Sequence, residues 1–473
     1  MKICIGNNCV VDLLPFEKTR KTLVEEKMAL HEKKGKEEAF MLGDLGDIIS
    51  KYKRWVKKLP RVELFYAVKC NDDHAVLKVL TDLGASFDCA SKSELRKILK
   101  LGVPPSRIIY ANPCKQTSFI RYAAKHHVSL MTFDNEFELH KVKKNYPGAK
   151  LVFRMLPPRN FKVECDLGTK FGCEPSKARQ LLEAAQNLGL DVVGVSFHVG
   201  SGCLEARAFA VAIQQARQVF DTGLDLGFNM NLLDIGGGFP GFVSPLVSFD
   251  EIAEIVNEAL ELHFPLLESV RIIGEPGRYV VTSAFTLVAN IIAKRVVVND
   301  HCGEKGETAT LSSSSDEPTM MYYINDGVYG SFNSRINDRD HDHIEVLVPR
   351  DQETSLKYEC SLWGPTCDSQ DCIKEKIHLP ELNIGDWLYF PFMGSYTTVL
   401  ASSFNGMPRP IHYYYCLADV WHEVYPKEQR KKQACIKQIP QHIKSGHTLQ
   451  EVTAINDLEN LLTTSIPHVY ISL

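Results

Sequence analysis

Val62-Glu63-Leu64-Phe65-Tyr66-Ala67-Val68-Lys69-Cys70 is an apolar, strand-like run that ends on a lysine. Ammonium groups are seldom placed at the inner mouth of a core strand, because an unpartnered charge there is costly. Working outward, seven more short apolar runs follow, at residues 84–87, 107–111, 128–133, 150–155, 191–197, 230–235 and 270–274. Amphipathic stretches separate them, among them 91–101, 135–145, 175–188 and 207–226. Eight strand-helix units in about 225 residues predict an α/β chain with a (β/α)8 TIM barrel rather than an open sheet.

A polar or flexible group follows each run: Lys69, Asp88, Asn112, Asp134, Arg154, His198, the glycines 236–238 and Glu275. Barrel enzymes build their sites at strand C-terminal ends, whereas chance would scatter such residues over both ends. The pattern therefore predicts an enzyme. After residue 285 the helical period gives way to strand-rich segments with turns, at 284–298, 320–324, 356–362, 386–390 and 411–417. These predict a second, all-β domain over 285–430, joined by residues 1–44 through the runs 9–14 and 39–42. The barrel is expected over 45–284, and 431–473 form a weakly patterned, weakly structured tail. The polar stretch 302–318 reads as a loop within the β domain.

Composition narrows the class. The chain has 473 residues, a hydrophobic fraction of 44% and a charged fraction of 24%, which suits a soluble globular protein with more than one core. A net charge of −4 leaves no basic footprint for nucleic acid and no polybasic membrane patch. No apolar stretch approaches the ~20 residues that span a bilayer, and asparagines occupy the N-terminal region where a signal peptide needs an apolar core. The cytoplasm is the expected compartment. The 14 cysteines show no paired metal spacing, so no metal is expected and most should be reduced core residues.

The chemistry-bearing residues converge on one cofactor class. Burial lowers the pKa of an amine and makes it a nucleophile able to form a Schiff base with a carbonyl or with pyridoxal phosphate. A snorkelling strand-end lysine is the plain alternative for Lys69. Gly236-Gly237-Gly238 directly after a strand offers backbone N–H groups to phosphate, although a structural turn would use the same glycines. Glu275-Pro276-Gly277-Arg278 follows the last barrel run and adds a guanidinium. Glu275 itself could face a pyridine nitrogen and keep it protonated, or could cap a helix. His198 could stack on a cofactor ring and Ser201 bind phosphate. In 363–368, Cys367 places a thiol able to donate a proton beside Asp368, whose carboxylate could hold a cationic substrate tail.

Together these residues resemble the fold III pyridoxal-phosphate decarboxylases of the ornithine decarboxylase family. The likeness runs from about residue 40 to 420 and rests on FYAVKCN (65–71), FDCAS (87–91), ANPCK (111–115), VVGVSFHVGSGC (192–203), LLDIGGGFPG (232–241), EPGRY (275–279), NDGVYGSFN (325–333), WGPTCD (363–368) and MGSYT (393–397). The resemblance implies that Lys69 carries pyridoxal 5′-phosphate, Glu275 pairs with its ring nitrogen and His198 stacks on the ring. Ser201, Gly236, Gly237, Gly238, Gly277, Arg278 and Tyr396 would hold the phosphate, with Asp88 and Arg154 in support. It further implies a homodimer with shared active sites, in which Cys367 and Asp368 reach the partner's barrel and Cys367 reprotonates the substrate carbanion. Asp368, Tyr329 and Phe404 would bind substrate, and the implied reaction converts L-ornithine to putrescine and CO2 in polyamine synthesis.

One stretch departs from the family pattern. After residue 333 the chain reads Ser334-Arg335-Ile336-Asn337-Asp338-Arg339-Asp340-His341-Asp342-His343. The substrate-binding aspartate falls on Asp340 with two extra residues, or on Asp338 without a gap. Either way Arg335 and Arg339 lie close and oppose a cationic tail. A paralogue acting on leucine or lysine is therefore an alternative, as is a non-catalytic protein resembling the antizyme inhibitors. Residues 115–144, with Arg121, Asp134, Glu136, Glu138 and Lys141, resemble the family's antizyme-binding surface, though a solvated helical face would look the same.

Overall fold

The computed structural model describes residues 1–5, 9–16, 18–242, 246–297, 319–333 and 356–426. Eight parallel strands close into a barrel in sequence order: Val62–Ala67, Ser86–Cys89, Ile108–Tyr110, Leu130–Phe133, Lys150–Arg154, Asp191–Ser196, Leu232–Asp234 and Arg271–Gly274. Closure runs through the pairing of Gly274 with Leu64. All eight apolar runs became strands because each is buried on both faces, inside by the barrel filling and outside by helices. Phe65, Ile109, Val152, Val193, Leu232 and Ile273, from six different strands, form one buried cluster.

The helices are set by local chemistry. Asp44 caps Leu45–Lys58 by accepting from the Gly46 and Asp47 N–H groups at 2.9 and 3.2 Å. That helix buries Trp55, whose indole N–H donates to the Val62 carbonyl at 2.9 Å and so fixes the helix against the first barrel strand. Ser91 and Glu94 form a reciprocal cap on Lys92–Lys100: Ser91 Oγ accepts from the Glu94 N–H, and Glu94 Oε2 from the Ala90 N–H.

The second domain is a mixed sheet. Its order is Lys2–Cys4, Val10–Leu14, Ile411–Leu417, Phe40–Asp44, Phe285–Val297, Thr319–Ile324, Lys357–Trp363 and Cys372–Pro380, with Trp387–Phe390 also paired to Phe285–Val297. Both N-terminal strand-like runs lie in this sheet, as Val10–Leu14 and Phe40–Asp44. The domain also carries a helix, Arg20–Lys33, that the strand pattern did not announce.

The two domains are stitched where the site lies. Asn71, just beyond the first barrel strand, donates through Nδ2 to the Gly394 carbonyl at 2.8 Å, and the Tyr396 N–H donates to the Cys70 carbonyl at 2.9 Å. Asp73 caps His74–Leu83 and also accepts from the Tyr414 hydroxyl at 2.6 Å. These bonds carry Tyr396 from the sheet domain to the barrel mouth.

Candidate active site

Lys69 sits in the single turn Val68–Cys70 that ends the first barrel strand, and its amine pairs with Asp88 Oδ2. Asp88 is fully buried, while Lys69 lines a cavity and is 38% exposed. Asp88 lies within Ser86–Cys89 rather than after it, because this strand falls two residues later than the apolar run. One expectation reverses here. Burial does act to lower the Lys69 pKa, but Asp88, Glu275 and Tyr396 outweigh it and raise the amine above its ordinary value. The lysine is held as an ammonium by the acids around it.

Three acids and Arg154 fill the floor beneath it. Glu275 is buried, and its Oε1 has no hydrogen-bond partner among the described residues. Asp234 ends Leu232–Asp234, and its Oδ1 accepts from the Gly236 N–H at 2.8 Å. Burial pushes Asp234 up to about 7, against the pull of the Gly236 N–H and Arg154. Burial, Asp234 and Asp88 together hold the Glu275 carboxyl well above the usual range. An ionised Asp234 therefore opposes ionisation of Glu275. The sequence reading gave Asp234 no role, although an aspartate just before three glycines was its visible signal.

The opposite wall is built for an anion. Gly236 has φ +63° and a Cβ there would collide with the Phe197 carbonyl, so only glycine makes this turn. Gly237 and Gly238 continue it, with a Cβ at Gly238 falling 2.6 Å from the Gly200 carbonyl. Ser201 Oγ accepts from Arg278 Nε at 2.9 Å, and the Arg278 guanidinium lies 4.7 Å from the Tyr396 ring centre. Gly277 packs against Cys70 with no room for a side chain. His198 Nδ1 accepts from the Gly200 N–H at 3.1 Å, which leaves the ring hydrogen on Nε2. Burial, Arg154 and Lys69 hold its pKa well below the ordinary value, so the imidazole is neutral.

Lys69, His198, Ser201, Gly238, Glu275, Gly277, Arg278 and Tyr396 line one cavity of about 300 Å³. An amine, a neutral flat ring, an acid with an open oxygen and a guanidinium-hydroxyl cradle suit an aldehyde, an aromatic ring, a ring nitrogen and a phosphate respectively. The residues fit pyridoxal 5′-phosphate.

None of Cys367, Asp368, Tyr329 and Phe404 lines this cavity. They form a second cluster on the sheet domain, where the Tyr329 hydroxyl donates to Asp368 and its ring lies 4.7 Å from that of Phe404. That hydrogen bond, with one from the Gln370 N–H, lowers the Asp368 pKa. Cys367 is exposed, its N–H donating to Asn405 Oδ1 at 2.9 Å. Asp338 and Asp340 lie outside the described residues.

Within the 115–144 segment one residue is corrected: Glu138 is buried rather than facing outward. It pairs with the buried Lys115 at 2.9 Å, and Lys141 closes a second bond to it at 2.6 Å. The Glu138–Lys115 pair ties the helix Glu136–Asn145 to the loop that carries Lys115. What faces outward is Phe137, 85% exposed, with Arg121, Glu136 and His140.

Comparison with known proteins agrees with this geometry. The family model for the pyridoxal-dependent decarboxylase pyridoxal-binding domain matches residues 45–282, and that for the C-terminal sheet domain of the same enzymes matches 278–394. Ornithine decarboxylase of Rattus norvegicus is 49% identical over 404 residues, covering 85% of this chain and 86% of the relative. Antizyme inhibitor 2 of Xenopus laevis is 50% identical over 377 residues, covering 80% and 81%. Among solved structures, the arginine decarboxylase of Paramecium bursaria Chlorella virus superposes with a TM-score of 0.75 at 33% identity, covering 83% of this chain and all of that one.

Proposed function

The chain belongs to the ornithine decarboxylase family of pyridoxal-dependent decarboxylases, and from that premise we propose that it converts L-ornithine to putrescine and CO2. The observation that carries the proposal is the placement of the Lys69–Asp88 pair, Glu275 and the Ser201–Arg278 cradle on one cavity. When bound, the cofactor supplies an electron sink for the pair left behind as the substrate carboxylate departs.

This chain's residues do the rest. Lys69 would hold the cofactor aldehyde covalently, with Asp88 in contact with it. Glu275, whose Oε1 is open, would hydrogen-bond the ring nitrogen. Neutral His198 would stack on the ring without adding charge. Ser201, Gly236, Gly237, Gly238, Gly277, Arg278 and Tyr396 would anchor the phosphate, and Arg154 would offset the clustered acids. Cys367 of the partner subunit would return a proton to the substrate α-carbon. Asp368 of the partner subunit would receive the distal ammonium, its carboxylate held ionised by Tyr329, with Phe404 alongside. This makes the working unit a homodimer, with the cytoplasm as its setting.

Release of labelled CO2 from ornithine, lysine and leucine, compared side by side, tests the substrate. Ornithine is expected to turn over fastest. Faster release from leucine would overturn a role for Asp368 in cation binding, since that substrate has no cationic tail.

A second reading has its own support, because an antizyme inhibitor is as similar to this chain as the ornithine decarboxylases. A regulatory protein that captures antizyme would release no CO2 from any amino acid. Its capture would weaken on replacing the exposed Phe137 rather than the buried Glu138.

A further inference from the structure

The loop after the fifth barrel strand contains a short strand, Val163–Cys165. It pairs antiparallel with Ser201–Cys203, in the register Cys165 to Ser201 and Val163 to Cys203. Glu164 therefore stands directly opposite Gly202. Gly202 has φ +61°, and a Cβ there would collide with Glu164 Oε2, so the carboxylate fills the space that the glycine leaves. Gly202 itself lines the cavity beside Ser201 and Arg278. Glu164 Oε2 lies 3.9 Å from Arg278 Nε, the same nitrogen that donates to Ser201 Oγ at 2.9 Å. The Glu164 side chain is only 9% exposed.

The strand that carries Glu164 is fastened at its N-terminal end. The Leu204 N–H donates to the Lys162 carbonyl at 3.0 Å, and the Lys162 N–H to Glu205 Oε1 at 2.7 Å. The Gly172 N–H donates to Asp134 Oδ2 at 2.9 Å. A fixed strand holds a largely buried anion at the phosphate end of the cavity. Two anions sharing one guanidinium repel each other across a medium that screens poorly.

We propose that Glu164 is an affinity-setting residue of the cofactor site: an internal carboxylate that competes with the cofactor phosphate for Arg278 and weakens its retention. The inference rests on the cofactor reading above and adds a selective element to it. The penalty falls on phosphate alone, so it distinguishes phosphorylated from unphosphorylated forms of the same aldehyde.

Purified protein stripped of cofactor, wild-type and Glu164→Gln, is titrated with pyridoxal 5′-phosphate and separately with pyridoxal, following visible absorbance. Glu164→Gln is expected to bind pyridoxal 5′-phosphate about tenfold more tightly, the gain from removing one poorly screened repulsion of about 1.4 kcal/mol, and pyridoxal no more tightly. Glu164→Leu, which keeps the strand apolar, should show the same selective gain if the amide variant fails to fold. Equal affinity of wild type and both variants for pyridoxal 5′-phosphate would overturn the role of Glu164 while leaving the cofactor reading intact. A matching gain for pyridoxal would also overturn it, because the effect would not be phosphate repulsion. Failure of every protein to take up either aldehyde would overturn the cofactor reading, and this inference with it.

Discussion

The barrel mouth and the tip of the sheet domain use the same residue types in opposite ways. At the mouth, buried Asp88, Asp234, Glu275 and Arg154 crowd beside the partly exposed Lys69, and neighbouring charges help to set the shifts of Lys69, Asp234 and Glu275. At the tip, Cys367 and Asp368 stand at the surface, with Asp368 set by a hydrogen bond from Tyr329. Burial strengthens charge interactions and makes each group dependent on its neighbours, whereas exposure leaves groups independent and weakly coupled. The proposed cofactor residues of the mouth come from one chain. Among the described residues, Cys367 and Asp368 do not line that cavity, and in the proposed dimer they would meet the partner's.

Complementation separates the two regions most sharply. Lys69→Ala should lower decarboxylation by about 10³-fold or more, by removing the covalent anchor. Cys367→Ala should lower it by about 10²-fold, as expected for loss of a positioned proton donor. Mixing the two inactive variants should restore about a quarter of wild-type activity. Half of randomly formed dimers are then mixed, and each has one intact site of two. No recovery on mixing, with dimers confirmed by size, would show that the tip serves its own barrel or none.

Stability should part the regions next. Glu138 is buried between Lys115 and Lys141, and Glu138→Ala would leave the fully buried Lys115 amine without its carboxylate. Breaking such a pair costs about 3 kcal/mol, and urea midpoints should fall accordingly. Asp368→Asn should leave the midpoint unchanged while raising the KM for ornithine. If both variants unfold alike, buried and exposed charges are not being used differently.

These contrasts explain what could be read in the residues alone. The barrel was legible because its parallel strands are buried on both faces and so read as apolar runs, with polar side chains marking their C-terminal ends. The helix Arg20–Lys33 was hidden because its buried face includes Lys27 and His31, polar residues that erase an apolar stripe. Lys27 is tolerated there through its 2.7 Å bond to Asp12, a partner far enough along the chain to leave no local signal. The strand Val163–Cys165 was missed for its length, since three residues show no period. At the site, residue identities were legible but charge states were not. The direction of the Lys69 shift depends on acids 19 and 206 residues away in sequence, which only the closed barrel brings together.

Acid-base linkage belongs to the mouth alone, and its effect is confined to a narrow pH window. An isolated aspartate loses its proton near 3.8, but burial holds Asp234 to about 7. Between these values the folded chain keeps a proton that the unfolded chain has released, so folding stability falls as pH rises through that window. Above about 7 the full cost of an ionised Asp234 is present, and below about 4 none of it is. Asp234→Asn carries no titrating proton at this position and relieves its repulsion on Glu275. Its stability relative to wild type should therefore climb between pH 4 and 7 and level off beyond, by a few kcal/mol at most. Urea midpoints across that range test this. A constant difference would mean that Asp234 is already ionised where it sits, shielded by Arg154 and the Gly236 N–H, and that Glu275 holds its proton without help.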